Sequence, residues 1–237
     1  MENGDNYDYE GLQAGYYDFQ RKSLRKRWHD KKFELVKQIA LENNPSLILD
    51  FGCGPGVFLR DFIPSNVFRI GFDISIAQVN YANQFSSSTL VFTHSLDEIS
   101  KLLVSFDLEQ LEITIVAIEL IEHINDSDLQ SLFRVIEQLL QEYPHKSVRW
   151  IFTTPNKISF WPGLERIVDL VLGTDYREQH KFLCSAKTLN ERLNRVSELD
   201  FTVQSFMTIT SWLIRKKKLR VIQTLLFRGL LLISWNR

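Results

Sequence analysis

Apolar positions along the chain change their period several times, and each change marks a new element. Between Arg21 and about Glu42, Leu24, Trp28, Phe33, Leu35, Val36, Ile39 and Ala40 recur at mixed spacings of three and four, predicting a helix that Asn43, Asn44 and Pro45 end. Beyond it, short apolar or β-branched runs alternate with helical stretches. The runs predict strands at Leu47–Phe51, Val67–Phe72, Leu90–Thr93, Ile113–Ala117 and Val148–Thr153, of the kind buried on both faces. Helices are predicted after Gly56, after Ser75, after Leu96 and from about Ser127 to Glu142. In the last of these, Asp126 or Ser127 would cap a stripe of Leu129, Leu132, Phe133, Ile136, Leu139 and Leu140. Later, Ser185–Leu199 reads as a helix, and Thr202–Thr208 and Leu230–Trp235 as strands. Such alternation argues for an open, mostly parallel sheet wrapped by helices.

Composition narrows this. With 237 residues, 44% hydrophobic and 24% charged, the chain is globular, and no repeat or Gly/Ser/Pro-rich linker divides it. It divides into an N-terminal arm and helix at 1–42 and a main domain at 43–237. Residues 1–20 hold five acids, no Lys or Arg, and Tyr7, Tyr9, Tyr16 and Tyr17, which suggests a flexible arm or lid. The 28 basic and 29 acidic residues nearly cancel, so any nucleic acid or anionic lipid would have to be drawn by a local patch. Cys53 and Cys184 make no disulfide framework, and the acidic start lacks the order of a signal peptide; a cytoplasmic protein is expected. Leu219–Trp235 is apolar but broken by Arg220, Gln223, Thr224, Arg228 and Gly229, so no transmembrane segment is expected.

The chemistry gathers at strand ends. Leu47-Ile-Leu-Asp50-Phe-Gly52-Cys53-Gly54-Pro-Gly56 is a strand running into glycines at alternate positions and then a helix. Glycine lets a backbone turn sharply and approach a ligand, and a helix N-terminus favours negative charge. A dinucleotide fingerprint would need its third glycine where Val57 stands, and no Gly-Lys-Ser/Thr follows to make a P-loop. The next strand ends in Gly71-Phe72-Asp73, with its carboxylate 17 residues beyond Gly56, where an acid accepts from ribose hydroxyls in doubly wound sheets. The pair specifies a nucleoside-like ligand with an acidic or zwitterionic tail.

With Leu-Asp-Phe-Gly-Cys-Gly-Pro-Gly at 49–56, Gly-Phe-Asp-Ile-Ser at 71–75, Ile-Glu-Leu-Ile-Glu-His-Ile at 118–124 and Phe-Thr-Thr-Pro-Asn at 152–156, the chain resembles the class I S-adenosylmethionine-dependent methyltransferases from about Arg21 onward. The resemblance implies a single Rossmann-like, seven-stranded, mostly parallel sheet with helices on both faces, preceded by the helical N-terminal arm. It also implies that Asp50, Gly52, Cys53, Gly54 and Gly56 hold the methionine part of S-adenosylmethionine, Asp73 the ribose, and that Ile74 flanks the adenine. The family commonly has an acid beside the adenine after the third strand. Here the chain reads Thr93-His94-Ser95, leaving His94, Ser95 or the backbone for that role. Glu119, at the end of the fourth strand, joins the expected cofactor-binding set.

That strand continues into Glu119-Leu-Ile-Glu122-His123, and Gln179-His180-Lys181-Phe182 follows. His123 would sit where an acceptor meets the methyl group, and an imidazole, with an ordinary pKa of roughly 6.5, is a competent base. Glu122 and His180 complete the candidate catalytic set. Glu119, Glu122, His123 and His180 are also two carboxylates and two imidazoles that suit a divalent metal, as in the similar small-RNA terminal-ribose 2′-O-methyltransferases. Since Ile-Glu-His is common in metal-free methyltransferases, the metal-free reading ranks first. Phe160 and Trp161 are the candidates for an acceptor wall.

Residues 21–37 carry eight Lys or Arg and Arg215–Lys218 four more, either gripping phosphate or, as charge runs more often do, lining a solvated face. The expected activity is methyl transfer to a hydroxyl oxygen of a small or conjugated acceptor such as a sugar, lipid-linked glycan or secondary metabolite. A metal-dependent small-RNA ribose methyltransferase and a non-catalytic binding protein of the same fold are the alternatives, and nucleic acid ranks below a small molecule as partner. The oligomeric state is open.

Overall fold

The structure is a computed structural model that describes residues 24–104, 112–141, 148–157, 182–197, 201–208 and 228–236. The first helix, α1 (Leu24–Ala40), precedes strands β1 (Leu47–Phe51) and β2 (Phe68–Phe72), helix α2 (Ile76–Ala82), β3 (Leu90–Thr93), α3 (Leu96–Val104) and β4 (Ile113–Ile118). Then come α4 (Asp126–Gln141), β5 (Val148–Pro155), α5 (Ala186–Val196), β6 (Thr202–Thr208) and β7 (Arg228–Asn236). Five strands run parallel in the order β3-β2-β1-β4-β5, and β7 and then β6 continue the sheet antiparallel beyond β5.

Every residue of β1 is buried, and its alternation feeds two cores. Leu47, Leu49 and Phe51 join Phe133, Trp150, Phe152 and Leu193 on one face, while Ile48 joins Val36, Ala40, Phe58 and Val116 on the other. Successive strand side chains point to opposite faces, so Asp50 shares the face covered by α1. Phe133 of α4 stacks on Trp150 at 5.6 Å and on Phe201 at 5.3 Å, fastening α4 over β4 and β5.

Some local expectations need correcting. The stretch after Gly56 is a single π-helical turn, Phe58–Phe62, in place of a regular helix. The cap of α4 is Asn125, whose Oδ1 accepts from Asp128 N at 2.9 Å; Asp126 is instead engaged by Arg192 and Arg195. By contrast Ser185 caps α5 in a reciprocal box with Thr188. The arm at 1–20, Phe160, Trp161 and Arg215–Lys218 lie outside the described residues. Among the described residues no helix is long and apolar enough to cross a membrane.

Candidate active site

In the order β3-β2-β1-β4-β5 the connections leave β1 and β4 in opposite directions, so the switch point of the sheet lies between those two strands. Loops leaving the carboxyl ends of strands diverge there and open a crevice. After β1, Gly52, Gly54 and Gly56 adopt φ of 75°, 51° and 74°, in the left-handed region that other residues enter only with strain. Gly52 N and Cys53 N both donate to Phe72 O, at 2.8 and 3.0 Å, tying the loop to β2. The three glycines have separate reasons. A Cβ on Gly52 would stand 3.0 Å from Leu120 Cδ1 and one on Gly56 2.4 Å from the Phe92 ring, whereas one on Gly54 would meet nothing within 4 Å. Among the described residues Gly54 therefore faces open space.

Asp73, at the end of β2, accepts from Gly54 N at 2.8 Å and from Ser75 N at 2.9 Å, each oxygen keeping acceptor capacity for a ligand. Beside it Ile74 is 72% exposed, a bare apolar surface on the rim. Asp50 is buried, and its Oδ1 has no hydrogen-bond partner among the described residues. Burial, reinforced by the charge of Asp73, pushes the Asp50 carboxyl well above the usual carboxylate range; burial also raises Asp73, against the two N–H groups it accepts. Burial first, then Asp50 and Asp73, raise the Cys53 thiol well above its ordinary value.

After β4 the chain makes a tight turn. Glu119 has φ 55°, and its N–H donates to Thr153 O at 3.0 Å. Its carboxylate is bonded to the ammonium of Lys32 from α1, which also lies 3.1 Å from His29 Nδ1. Glu122 is fully buried, and His123 Nε2 lies 4.0 Å from its Oε1. At β3, His94 is exposed and Ser95 half-buried. Ser95 N donates to Thr93 Oγ1 at 2.9 Å, and that hydroxyl donates to Glu98.

A family model for the methyltransferase domain matches residues 18–204. The chain belongs to that methyltransferase-domain family. No curated protein matches it. Among solved structures it is similar to a SAM-dependent methyltransferase from Archaeoglobus fulgidus, with TM-score 0.57 and 20% identity over 94% of this chain and 100% of that one. It is also similar to magnesium protoporphyrin IX methyltransferase from Synechocystis PCC 6803, at TM-score 0.59 and 14% identity over 98% and 97% of the two chains. A third likeness is to the methyltransferase domain of a bacterial Hen1, at TM-score 0.54 and 16% identity over 91% and 100%. At these identities the likeness is one of fold.

In this methyltransferase-domain chain, Asp50 and the glycine loop lie at the end of β1, joined to Asp73 after β2 by Gly54 N, and Glu119, Glu122 and His123 share the turn after β4. Of the four-ligand metal set, Glu119, Glu122 and His123 are among the described residues. Glu119 is held by Lys32, no group of three or more His, Cys, Asp or Glu among the described residues is placed to hold an ion, and His180 lies outside them. Lys32 departs from both readings of the basic helix, because it is buried against Glu119, whereas Lys31 is exposed.

Arg192, on α5, escaped the sequence reading. It is 4% exposed, and its guanidinium donates to Ile121 O at 2.8 Å, to Ile124 O and to Asp126 Oδ1 at 2.6 Å, while lying 5.1 Å over the Phe182 ring. One planar cation thus fixes the far end of the turn that carries Glu122 and His123. Its only sequence signal is an arginine on the buried stripe of α5, between Leu189, Leu193 and Val196. Arg192→Gln should destabilise the protein by about 3 kcal/mol in urea unfolding, because buried carbonyls lose their donor. Arg192→Lys should recover only part, a single ammonium being unable to fork to three acceptors. Arg192's hydrogen bond also holds Asp126 below the usual carboxylate range, so this part of the stability is present above the unfolded carboxylate pKa and lost as pH falls through the lowered one. A wild-type-like midpoint for Arg192→Gln would remove the clamp.

Proposed function

We propose that the protein is an S-adenosylmethionine-dependent methyltransferase that delivers the methyl group to a hydroxyl oxygen of a small or conjugated acceptor. The observation that carries this reading is the cradle at the switch point, where, among the described residues, Gly54 faces open space beside Asp73 and the buried Asp50 offers an unbonded oxygen. These groups fit a nucleoside with a cationic tail. Asp73 would take the ribose hydroxyls, the exposed face of Ile74 the adenine, with His94, Ser95 and Glu98 at its edge, and Asp50 the amino group of the methionine part. When bound, S-adenosylmethionine supplies an electrophilic methyl carbon on a sulfonium. The chain's own contribution is alignment of the acceptor with that carbon and removal of one proton. His123 would accept that proton, with the buried carboxyl of Glu122 stabilising the imidazolium and Arg192 holding the turn.

Transfer to RNA ribose through a divalent ion draws less support, because Glu119 is engaged by Lys32. A non-catalytic role draws less still, since the glycine loop is intact.

Titration of the purified protein with S-adenosylhomocysteine should give a dissociation constant in the micromolar range, unchanged by a chelator. Affinity should fall as pH is lowered through the raised pKa of Asp50, because the ligand's ammonium prefers the ionised carboxylate. In the unliganded protein the sign is opposite: stability contributed by neutral Asp50 is present below the unfolded carboxylate pKa and is lost as pH rises through the raised one. No heat of binding at millimolar ligand would overturn the reading, and affinity abolished by the chelator would restore the metal site.

A further inference from the structure

We infer that α1 is a working part of the ligand site, and that Lys32 is a positioning residue which acts through Glu119 to set the β4 turn against the glycine loop. This rests on the methyltransferase reading and assigns a residue that the reading does not contain.

Four observations converge. Lys32 is 2% exposed, although it lies on a helix rich in basic residues, and its ammonium reaches the Glu119 carboxylate 87 residues away. A buried ammonium is costly to desolvate unless paired, and the Glu119 carboxylate is the opposite charge that Lys32 meets there. Glu119 itself holds a positive φ of 55°, a conformation that persists when its surroundings enforce it. The next residue, Leu120, lies so close to Gly52 that a Cβ there would stand 3.0 Å from Leu120 Cδ1, so the turn and the loop leave no slack between them.

The same helix touches the other side of the loop as well. One residue on from Lys32, Phe33 packs on Phe58 at 5.8 Å and on Phe62 at 5.2 Å, both in the π-helical turn that follows Gly56. His29, one helical turn before Phe33, lies 3.1 Å by its Nδ1 from the Lys32 ammonium. An ammonium can only donate, so His29 accepts there and carries its proton on Nε2. Through Phe33 the helix braces the segment leaving the glycine loop, and through Lys32 it braces the turn that faces the loop. A displacement of Glu119 would move Leu120 relative to Gly52, on the side of the crevice assigned to the methionine part. The ribose and adenine contacts, at Asp73 and Ile74, directly follow β2 and are held to β3 by Asp73 N donating to Thr93 O at 3.2 Å, so they feel that turn only indirectly, through the glycine loop.

This gives a readout that general loosening of the fold would not produce. Lys32→Met and Glu119→Gln, titrated in the full chain, should each weaken S-adenosylhomocysteine by about tenfold while changing adenosine affinity by less than about twofold. The double variant should be no weaker than either single one, since both remove the same contact, and Lys32→Arg should restore most of the affinity. Should Lys32→Met fail to fold, Glu119→Gln against wild type decides by the same two ligands. Unchanged S-adenosylhomocysteine affinity in folded variants, equal loss for both ligands, or losses that add in the double variant would overturn the inference. A wild-type protein that binds neither ligand would instead overturn the methyltransferase reading.

Discussion

Replacing Gly54 with alanine should leave stability nearly unchanged, lower by only about 1 kcal/mol, and weaken S-adenosylhomocysteine by about a hundredfold, whereas the same change at Gly56 should lower stability by about 2–4 kcal/mol. Both glycines have positive φ, at 51° and 74°, so each substitution carries a backbone cost of about 1 kcal/mol. The difference lies in what the new methyl group would meet. At Gly54 it meets none of the described residues within 4 Å, so the fold bears the backbone cost and the methyl group takes up space proposed for the ligand. At Gly56 it would stand 2.4 Å from Cε1 and Cζ of Phe92, and the same ring edge already lies where a Cβ on Gly71 would be. Phe92 is buried and fills the notch that two missing side chains leave. Overpacking there adds roughly 1–3 kcal/mol to the backbone cost, a large share of the stability of a domain. Thermal unfolding of the two variants beside ligand titration would test the contrast. A Gly54→Ala protein that binds like wild type would mean that the cradle is not the ligand site.

His123→Ala should lower the rate of methyl transfer by roughly 10² to 10⁴ with S-adenosylhomocysteine affinity within about twofold of wild type. The split follows from position. His123 is on the turn after β4, across the crevice from the groups proposed to hold the cofactor, and its side chain is 13% exposed, enough to be reached by an acceptor. Its Nε2 lies 4.0 Å from a carboxyl oxygen of Glu122, and its main chain is set by His123 N donating to Leu120 O at 3.0 Å and by Phe182 N donating to Glu122 O at 3.0 Å. A base so fixed loses little entropy when it takes the proton. Single-turnover transfer of a labelled methyl group into a small-molecule extract would measure the effect. A variant with the wild-type rate would place proton removal elsewhere.

Strand and helix periods were legible along the chain because they follow from nearest neighbours. Leu47–Phe51, Leu90–Thr93 and Thr202–Thr208 have the ends expected from their apolar runs, β2, β4 and β5 differ by one to two residues at one end, and β7 is longer at both ends. The π-helical turn at Phe58–Phe62 was not legible, because its apolar spacing is that of any short helix. The cap of α4 was misread for a similar reason. Asn125, Asp126 and Ser127 are all good caps, and the choice was settled when Arg192, 66 residues away, engaged Asp126.

The sequence by itself determined the parallel α/β order, the glycine loop and the carboxylate at the end of β2. These depend on local period and on a backbone conformation that glycine enters freely, and both are written in contiguous residues. Only the tertiary structure decided which charges meet. Lys32, one of eight cations read as gripping phosphate or lining a solvated face, became the partner of Glu119, and Arg192, which drew no reading, became the clamp of the β4 turn. Burying a cation is favourable only where carboxylates and carbonyls converge on it, and that convergence is created by the packing of α1 and α5 against the sheet.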